Sequence, residues 1–211
     1  MSSHPDPHAG QPVLATGVPL TDARLVVILL HGRGASAEDI LGLGGDFDLA
    51  DIAYIAPQAA GNTWYPYSFL TPVDKNEPGL SSALGVIDTL IAHVGQRGIA
   101  PDRVALMGFS QGACLTLEYA ARHARRYACV AAFSGGLIGP PGTPRAYPGS
   151  FEGTPIFLGC SDIDPHIPLE RVRESAEVCR TMGAKVDERV YPGMGHSINT
   201  DEIAAVRAML G

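Results

Sequence analysis

The sequence predicts an α/β fold, with a mostly parallel central sheet and helices on both of its faces. Two observations support this prediction. Short apolar runs bounded by turn residues recur along the chain, and segments with apolar residues at every third or fourth position lie between them. A chain of 211 residues is long enough for one domain and short for two. We therefore expect a single domain over residues 13–211, preceded by a short flexible lead-in at residues 1–12.

The apolar runs have the length and composition of strands that are buried on both faces, as the inner strands of a parallel sheet are. They span residues 25–30, 53–56, 104–107, 129–133 and 156–158. A further segment, residues 185–191, is heavily charged, which is typical of an edge strand.

Helical spacing of apolar residues predicts helices between these strands. The predicted helices span residues 80–94, 113–122, 169–179 and 203–210, and the last is preceded by a suitable start at Thr200. Two stretches have no regular pattern. Residues 58–78 carry four aromatic side chains among Pro and Asn, and residues 134–153 are rich in Gly and Pro. Irregular segments this long are often functional, so we expect substrate contacts there.

Composition and charge exclude several classes of protein. The chain is 45% hydrophobic and 18% charged, which disfavours disorder, and its net charge of −7 disfavours a nucleic-acid partner. The four cysteines are widely spaced, which predicts free buried thiols and no metal site. There is no signal-peptide pattern, and the longest apolar run falls far short of the ~20 residues of a membrane helix. We expect a cytoplasmic protein without a membrane span, either monomer or homodimer.

The most specific motif is Gly-Phe-Ser-Gln-Gly at residues 108–112, which follows a predicted strand and begins a predicted helix. This is the pattern of a nucleophile elbow, a sharp turn that lifts a serine hydroxyl clear of the sheet. The flanking glycines avoid clashes that side chains would make at such a turn. The motif predicts that Ser110 is a nucleophile.

A serine hydroxyl needs a base, usually a histidine that a carboxylate orients. His196 lies between the last predicted strand and the last helix, where a loop at the carboxyl edge of the sheet would present it. His123 is excluded, because it ends the helix that Ser110 begins, roughly 20 Å away. His166 is the alternative base, although its position in the loop of the candidate acids favours a role as a wall residue of the substrate site.

Two carboxylates, Asp162 and Asp164, follow the strand at residues 156–158. Alternation in an extended segment places both on the same side, so the spacing leaves the choice of catalytic acid open. The carboxylate that does not contact the histidine would bind main-chain amides of the turn.

An acyl-transfer site also needs N–H groups directed at the developing oxyanion. We expect one from Gln111, the residue after the nucleophile, and one from Arg33, in the loop after the first inner strand. The Arg33 side chain would be either solvated or directed at an anionic substrate group. Trp64 would either line the substrate pocket or pack its loop on the core, and we take it as a substrate contact. His31 is expected to be structural.

Four segments, His-Gly-Arg-Gly at 31–34, the elbow at 108–112, Asp-Pro-His-Ile-Pro at 164–168 and Gly-Met-Gly-His-Ser at 193–197, occur in this order. Together they resemble the phospholipase/carboxylesterase family of α/β-hydrolases, over roughly residues 13–210. The resemblance implies Asp164 as the acid, because relatives carry it directly before proline. It also implies Ser110 as nucleophile, His196 as base and no cofactor.

The resemblance implies a carboxylesterase that acts on small-molecule esters through a covalent acyl-enzyme, in an α/β-hydrolase fold without a large cap domain. Two alternatives use the same triad, a lysophospholipase and an acyl-thioesterase. A third, a non-catalytic ligand receptor, typically lacks a triad residue or an oxyanion donor, and none is missing here. The first loop departs from the His-Gly-Leu-Gly-Asp of relatives, so their acyl preference is not carried over.

Overall fold

The structure, a computed structural model, describes residues 6–211 and is built on one seven-stranded sheet. The strands are β1 (Val13–Gly17), β2 (Leu25–Leu30), β3 (Ile52–Pro57), β4 (Val104–Phe109), β5 (Cys129–Phe133), β6 (Pro155–Ser161) and β7 (Lys185–Tyr191). Their order across the sheet is β1-β3-β2-β4-β5-β6-β7. All neighbours are parallel except β1, which pairs antiparallel with β3. The predicted mostly parallel sheet is confirmed, and β7 lies at its edge as expected.

Helices cover both faces of the sheet, as predicted. They are α1 (Ala37–Asp46), α2 (Gly79–Gly95), α3 (Gln111–Arg122), α4 (Leu169–Thr181) and α5 (Thr200–Leu210). Side chains of β2 alternate between two buried layers: Val26 packs in the layer formed with α2, α3 and α4, and Val27 packs in the layer formed with α1 and α5. Between the strands, residues 6–211 contain these helices, loops and short 3₁₀ turns, and no large cap domain.

Two elements are absent from the sequence prediction. Strand β1 is exposed at every position, so it shows no alternation of apolar and polar residues. Helix α1 contains three glycines, which lower its helical propensity. One of them, Gly44, is required by packing, since a Cβ there would lie 2.9 Å from the ring of Tyr54. The helix is fixed at its start by a capping box between Ser36 and Asp39.

One residue of the expected lead-in, His8, is packed against the domain. His8 is only 4% exposed, and its ring hydrogen-bonds the carbonyl of Trp64 at 2.9 Å and the N–H of Ala60 at 3.1 Å. His8 is therefore anchored to the domain, while residues 6, 7 and 9–12 are exposed. The rest of the expected lead-in, residues 1–5, lies outside the described residues.

The four cysteines are buried and unpaired, as predicted. Burial raises the pKa of Cys114, Cys129 and Cys179 to about 12, so their thiols stay protonated and unreactive at neutral pH. Among residues 6–211, no helix is long and apolar enough to cross a membrane.

Candidate active site

The site lies where the carboxyl ends of β2, β4, β6 and β7 meet at one edge of the sheet. Ser110 follows β4, the loop with Asp164 follows β6 and the loop with His196 follows β7. Parallel strands bring residues that are distant in sequence to the same edge, which is the usual location of sites in open α/β sheets.

The turn at Ser110 has the backbone geometry that a nucleophile elbow requires. Ser110 has φ of 56° and ψ of −117°, in a region that side chains disfavour, and its N–H donates to the carbonyl of Phe133 at 2.9 Å. A Cβ on Gly108 would lie 2.4 Å from the main chain of Gly112. A Cβ on Gly112 would lie 2.0 Å from the carbonyl oxygen of Leu30. Both glycines of the motif are therefore required by close backbone packing.

His196 connects the serine to a carboxylate. Its Nε2 lies 2.8 Å from the Ser110 Oγ, and its Nδ1 lies 2.7 Å from the Asp164 Oδ2. In this arrangement Nδ1 donates to the carboxylate and Nε2 accepts from the hydroxyl. The three side chains thus have the geometry of a Ser-His-Asp triad.

The carboxylate of Asp164 is held ionised by its hydrogen bonds. Its side chain is inaccessible to solvent, and its Oδ1 accepts the N–H groups of His166 at 2.8 Å and Ile167 at 3.1 Å. Burial acts to raise the pKa of Asp164, but the hydrogen bonds from His196, His166 and Ile167 outweigh it, and the pKa lies below its usual value.

Asp162 has a different partner, so the geometry distinguishes the two carboxylates that the spacing left open. Its Oδ1 accepts the N–H of Gly193 at 2.8 Å, in the loop that carries His196. Asp162 therefore binds a main-chain amide, as expected for the carboxylate that does not contact the histidine.

The ring of His196 packs between two others. The centroid of the Phe109 ring lies 4.8 Å from that of His196, and the centroid of the His166 ring lies 4.9 Å from it. The His166 ring is edge-on to His196. The structure thus places His166 in the wall of the site. His123 lies at the far end of α3, near Asp88, away from the triad.

The two N–H groups expected to bind the oxyanion both border the serine. Gln111 is the first residue of α3, where main-chain N–H groups have no acceptor within the helix. Arg33 lies in the loop after β2. Within residues 6–211, neither main-chain N–H donates a hydrogen bond, so both are free to bind a substrate oxygen.

The side chain of Arg33 is exposed and lines the cleft, and its guanidinium makes four hydrogen bonds. Its Nη1 donates to the Thr63 Oγ1 at 2.9 Å and to the carbonyl of Pro66 at 3.0 Å. Its Nη2 donates to the carbonyls of Tyr65 at 2.9 Å and Tyr67 at 2.7 Å. The guanidinium therefore binds the aromatic loop at residues 63–67.

The side chain of Gln111 binds the same loop. Its Oε1 accepts the N–H of Trp64 at 2.9 Å, and its Nε2 donates to the carbonyl of Tyr65 at 2.8 Å. These contacts of Gln111 and Arg33 are absent from the sequence prediction, because their partners are mostly main-chain groups of a loop without a regular pattern.

Trp64 does not line the cleft, contrary to its expected role as a substrate contact. Its side chain is fully buried, its Nε1 donates to the carbonyl of His31 at 2.9 Å, and it is not among the residues that line the cleft. His31 is structural, as expected: its Nδ1 donates to the carbonyl of Gly32 and its Nε2 accepts the N–H of Ala59. Burial lowers the pKa of His31, so its ring is neutral at pH 7.

A cleft of about 600 Å³ opens in front of Ser110. Its aromatic wall comes from the irregular segment at residues 58–78, as expected, through residues 65–69. The cleft is otherwise lined by Gly32, Arg33, Ala35, Phe109, Gln111, Cys114, His166, Ile167 and His196. The second irregular segment does not line it: Leu137 and Ile138 of that segment are buried in the core. Across residues 6–211, no group of three or more His, Cys, Asp or Glu is placed to hold a metal ion.

Comparison with known proteins identifies relatives over nearly the whole chain. A crystal structure of a phospholipase/carboxylesterase from Dyadobacter fermentans superimposes with a TM-score of 0.92 and is 43% identical, covering 100% of this chain and 99% of that one. Carboxylesterase SOBER1 of Arabidopsis thaliana is 23% identical over 209 residues, covering 89% of this chain and 90% of its own. Acyl-protein thioesterase 1 of Gibberella zeae is 29% identical over 146 residues.

The match to the Gibberella zeae protein spans 65% of this chain and 59% of that protein's length. The sequence profile of one family, described as Phospholipase/Carboxylesterase, matches residues 15–211. This match and the agreement in fold confirm the resemblance that the four sequence segments predict. The chain belongs to the phospholipase/carboxylesterase family of α/β-hydrolases.

Proposed function

We propose that this protein is a serine carboxylesterase that cleaves small-molecule esters through a covalent acyl-enzyme. The observation that carries the proposal is the position of His196, within hydrogen-bond distance of both the Ser110 Oγ and the Asp164 Oδ2. A hydroxyl, a base and an orienting carboxylate in this order are what acyl transfer to serine requires.

In the first step the Ser110 Oγ attacks the ester carbonyl carbon while His196 Nε2 takes the hydroxyl proton. The carbonyl oxygen becomes an oxyanion, which the N–H groups of Arg33 and Gln111 stabilise. Asp164 keeps the imidazole in the tautomer with the proton on Nδ1 and stabilises its charged form. The carbon–oxygen bond to the alcohol then breaks, and His196 gives the proton to the departing oxygen.

In the second step water takes the place of the alcohol. His196 removes a proton from the water as its oxygen attacks the acyl-enzyme carbonyl, and the same two N–H groups hold the second oxyanion. Breakage of the bond to the Ser110 Oγ returns the proton to the serine and releases the carboxylic acid.

An acyl-thioesterase is the second candidate, favoured by the names of the acyl-protein thioesterase relatives. A lysophospholipase would use the same residues. Rates on matched oxygen and thiol esters across acyl chain lengths distinguish these activities. A non-catalytic receptor is disfavoured, because each of the groups that acyl transfer needs is in place.

Labelling by a fluorophosphonate tests the proposal. The wild type is expected to be labelled at Ser110 and to hydrolyse p-nitrophenyl butyrate, and Ser110→Ala to do neither. His123→Gln is the control, because His123 lies at the far end of α3. A wild type that neither reacts with the probe nor hydrolyses any ester from acetate to palmitate would refute the proposal.

A further inference from the structure

A second cavity adjoins the catalytic cleft on the side of α1. It has a volume of about 450 Å³ and shares part of its wall with the cleft, namely Gly32, Ala35 and Phe109. Gly32 and Ala35 belong to the loop of Arg33, whose N–H we assign to the oxyanion site, and Phe109 precedes the proposed nucleophile Ser110. A substrate with its carbonyl at Ser110 can therefore extend into this second cavity, which we call the α1 groove.

Apolar side chains line most of the α1 groove. Ile40 and Leu43 come from α1. Ile198 comes from the loop after β7 that carries His196, and Ile203 comes from α5. Ile198 and Ile203 are only partly buried, although they pack against the core. Apolar surface of this kind beside a catalytic site favours binding of an apolar part of a ligand.

The charges at the α1 groove are all negative. Asp39 and Asp46 line it and are exposed, and none of its lining residues is Lys or Arg. His31, at its inner end, is neutral because burial lowers its pKa. The nearby guanidinium of Arg33 is bound to the carbonyls of Tyr65 and Tyr67, which line the catalytic cleft. The groove therefore repels anionic groups.

The direction of the reaction indicates which half of the ester the α1 groove receives. His196 must return its proton to the alcohol oxygen, so the alcohol leaves past the imidazole. Phe109 packs against that ring, and Ile198 lies two residues after it. The catalytic cleft itself is lined by Tyr65, Phe69 and Cys114, which are buried. Buried, mostly apolar side chains suit an acyl chain that stays bound through both steps.

We infer that the α1 groove binds the alcohol half of the ester and selects apolar alcohols without negative charge. Asp39 and Asp46 are two helical turns apart, so the groove extends about 10 Å along α1. It fits an alcohol of about six carbons and disfavours alcohols that carry a carboxylate or phosphate. This inference rests on the proposed esterase activity and specifies its substrate class.

The test compares three butyrate esters that differ only in the alcohol: ethyl, hexyl and 5-carboxypentyl butyrate. For the wild type we expect kcat/KM to be about tenfold higher for the hexyl than for the ethyl ester, because the groove buries the longer chain. We expect the 5-carboxypentyl ester to fall at least about tenfold below the hexyl ester, since Asp39 and Asp46 oppose its carboxylate.

Helix α1 offers a matched pair of variants. Gly42 lines the groove and Gly45 does not, and at both positions an added Cβ meets no atom within 4 Å. Neither glycine has a positive φ, so each tolerates a side chain, and replacing glycine within a helix favours folding. Gly42→Phe is expected to remove the preference for hexyl over ethyl butyrate, and Gly45→Phe to retain it.

A second pair tests the charge. Asp46→Lys is expected to raise kcat/KM for 5-carboxypentyl butyrate several-fold relative to the hexyl ester. Glu38→Lys, on the same helix but outside the groove, is expected to leave that ratio within twofold.

The outcomes separate this inference from the proposed function. An active enzyme in which Gly42→Phe leaves the alcohol preference unchanged, or instead alters the preference between ethyl butyrate and ethyl octanoate, overturns the assignment of the groove alone. A wild type without ester hydrolysis or fluorophosphonate labelling refutes the proposed function, and the inference with it.

Discussion

Arg33 and Gln111 donate hydrogen bonds from their side chains to the same acceptor, the main-chain carbonyl of Tyr65, at 2.9 and 2.8 Å. These two residues also supply the main-chain N–H groups that we assign to the oxyanion site. The hydroxyl of Thr63 adds a third donor to that carbonyl at 3.1 Å. The aromatic loop therefore joins the two halves of the oxyanion site, which come from loops after different strands.

Arg33→Met is expected to lower kcat by about tenfold or more with a smaller change in KM. Loss of the guanidinium releases the loop and lets the Arg33 N–H move, and small displacements of oxyanion donors reduce transition-state binding. Steady-state kinetics on p-nitrophenyl butyrate measure the effect. Partial recovery of kcat by added guanidinium would show that the hydrogen bonds of the Arg33 side chain support catalysis.

Arg103→Met is the matched control, because Arg103 also donates to two main-chain carbonyls, those of Ala23 and Arg24, far from the cleft. An equal loss of kcat in both variants would mean that Arg33 acts only through general stability.

Asp164→Asn is expected to reduce kcat by about 10³- to 10⁴-fold, because an amide in place of the carboxylate disfavours the working tautomer of His196. Asp162→Asn keeps an oxygen for the Gly193 N–H and should cost less than about tenfold. Kinetics of both variants, with circular dichroism to check folding, measure this difference. A larger loss in Asp162→Asn would contradict the assignment of the acid.

Gly112→Ala is expected to destabilise the protein by about 1–3 kcal/mol or more, since its Cβ would overlap the carbonyl oxygen of Leu30. Gly85→Ala, in α2, meets no atom within 4 Å and should instead stabilise the protein by about 0.5–1 kcal/mol. Urea denaturation measures both changes. Equal stability of the two variants would show that the elbow does not need close backbone packing.

Glu202 predicts a pH dependence of stability. Its side chain is fully buried, and burial raises its pKa from 4.5 to about 7. Between pH 4.5 and 7 the unfolded chain loses this proton while the folded chain keeps it, so the free energy of unfolding falls as pH rises. A pKa shift of this size corresponds to a decrease in the free energy of unfolding on the order of 3 kcal/mol above pH 7.

Glu202→Gln removes this ionisation and keeps the oxygen that caps Asn199. We expect the variant to exceed the wild type in stability at pH 8 and to lose that advantage by pH 4.5. Glu38→Gln, at an exposed position of α1, serves as the control. Parallel pH profiles of wild type and Glu202→Gln in urea denaturation would exclude the effect.

The segments that form the candidate site could be predicted from the sequence because their signals are local. The elbow at residues 108–112 depends on glycines adjacent to the serine, and the position of His196 follows from the strand before it and the helix after it. The order of the strands then brings them together. The choice of Asp164 over Asp162 needed the family resemblance, since both carboxylates share one side of an extended segment.

The features that the sequence analysis missed depend on tertiary contacts. Trp64 is buried because the rings of His8 and His31 flank it, and these residues lie 56 and 33 positions earlier in the chain. The guanidinium of Arg33 binds carbonyls that only the folded loop brings together. Strand β1 is exposed throughout, so only its pairing with β3 identifies it.

Trp64 is the single tryptophan of the chain, and it lies between two histidine rings whose centroids are 5.4 and 5.0 Å from its own. The tryptophan fluorescence of the protein therefore comes from one indole, whose Nε1 donates to the main-chain carbonyl of His31 in the loop after β2. Its emission thus reports, without a label, on the packing of the loop at residues 63–67 that borders the cleft.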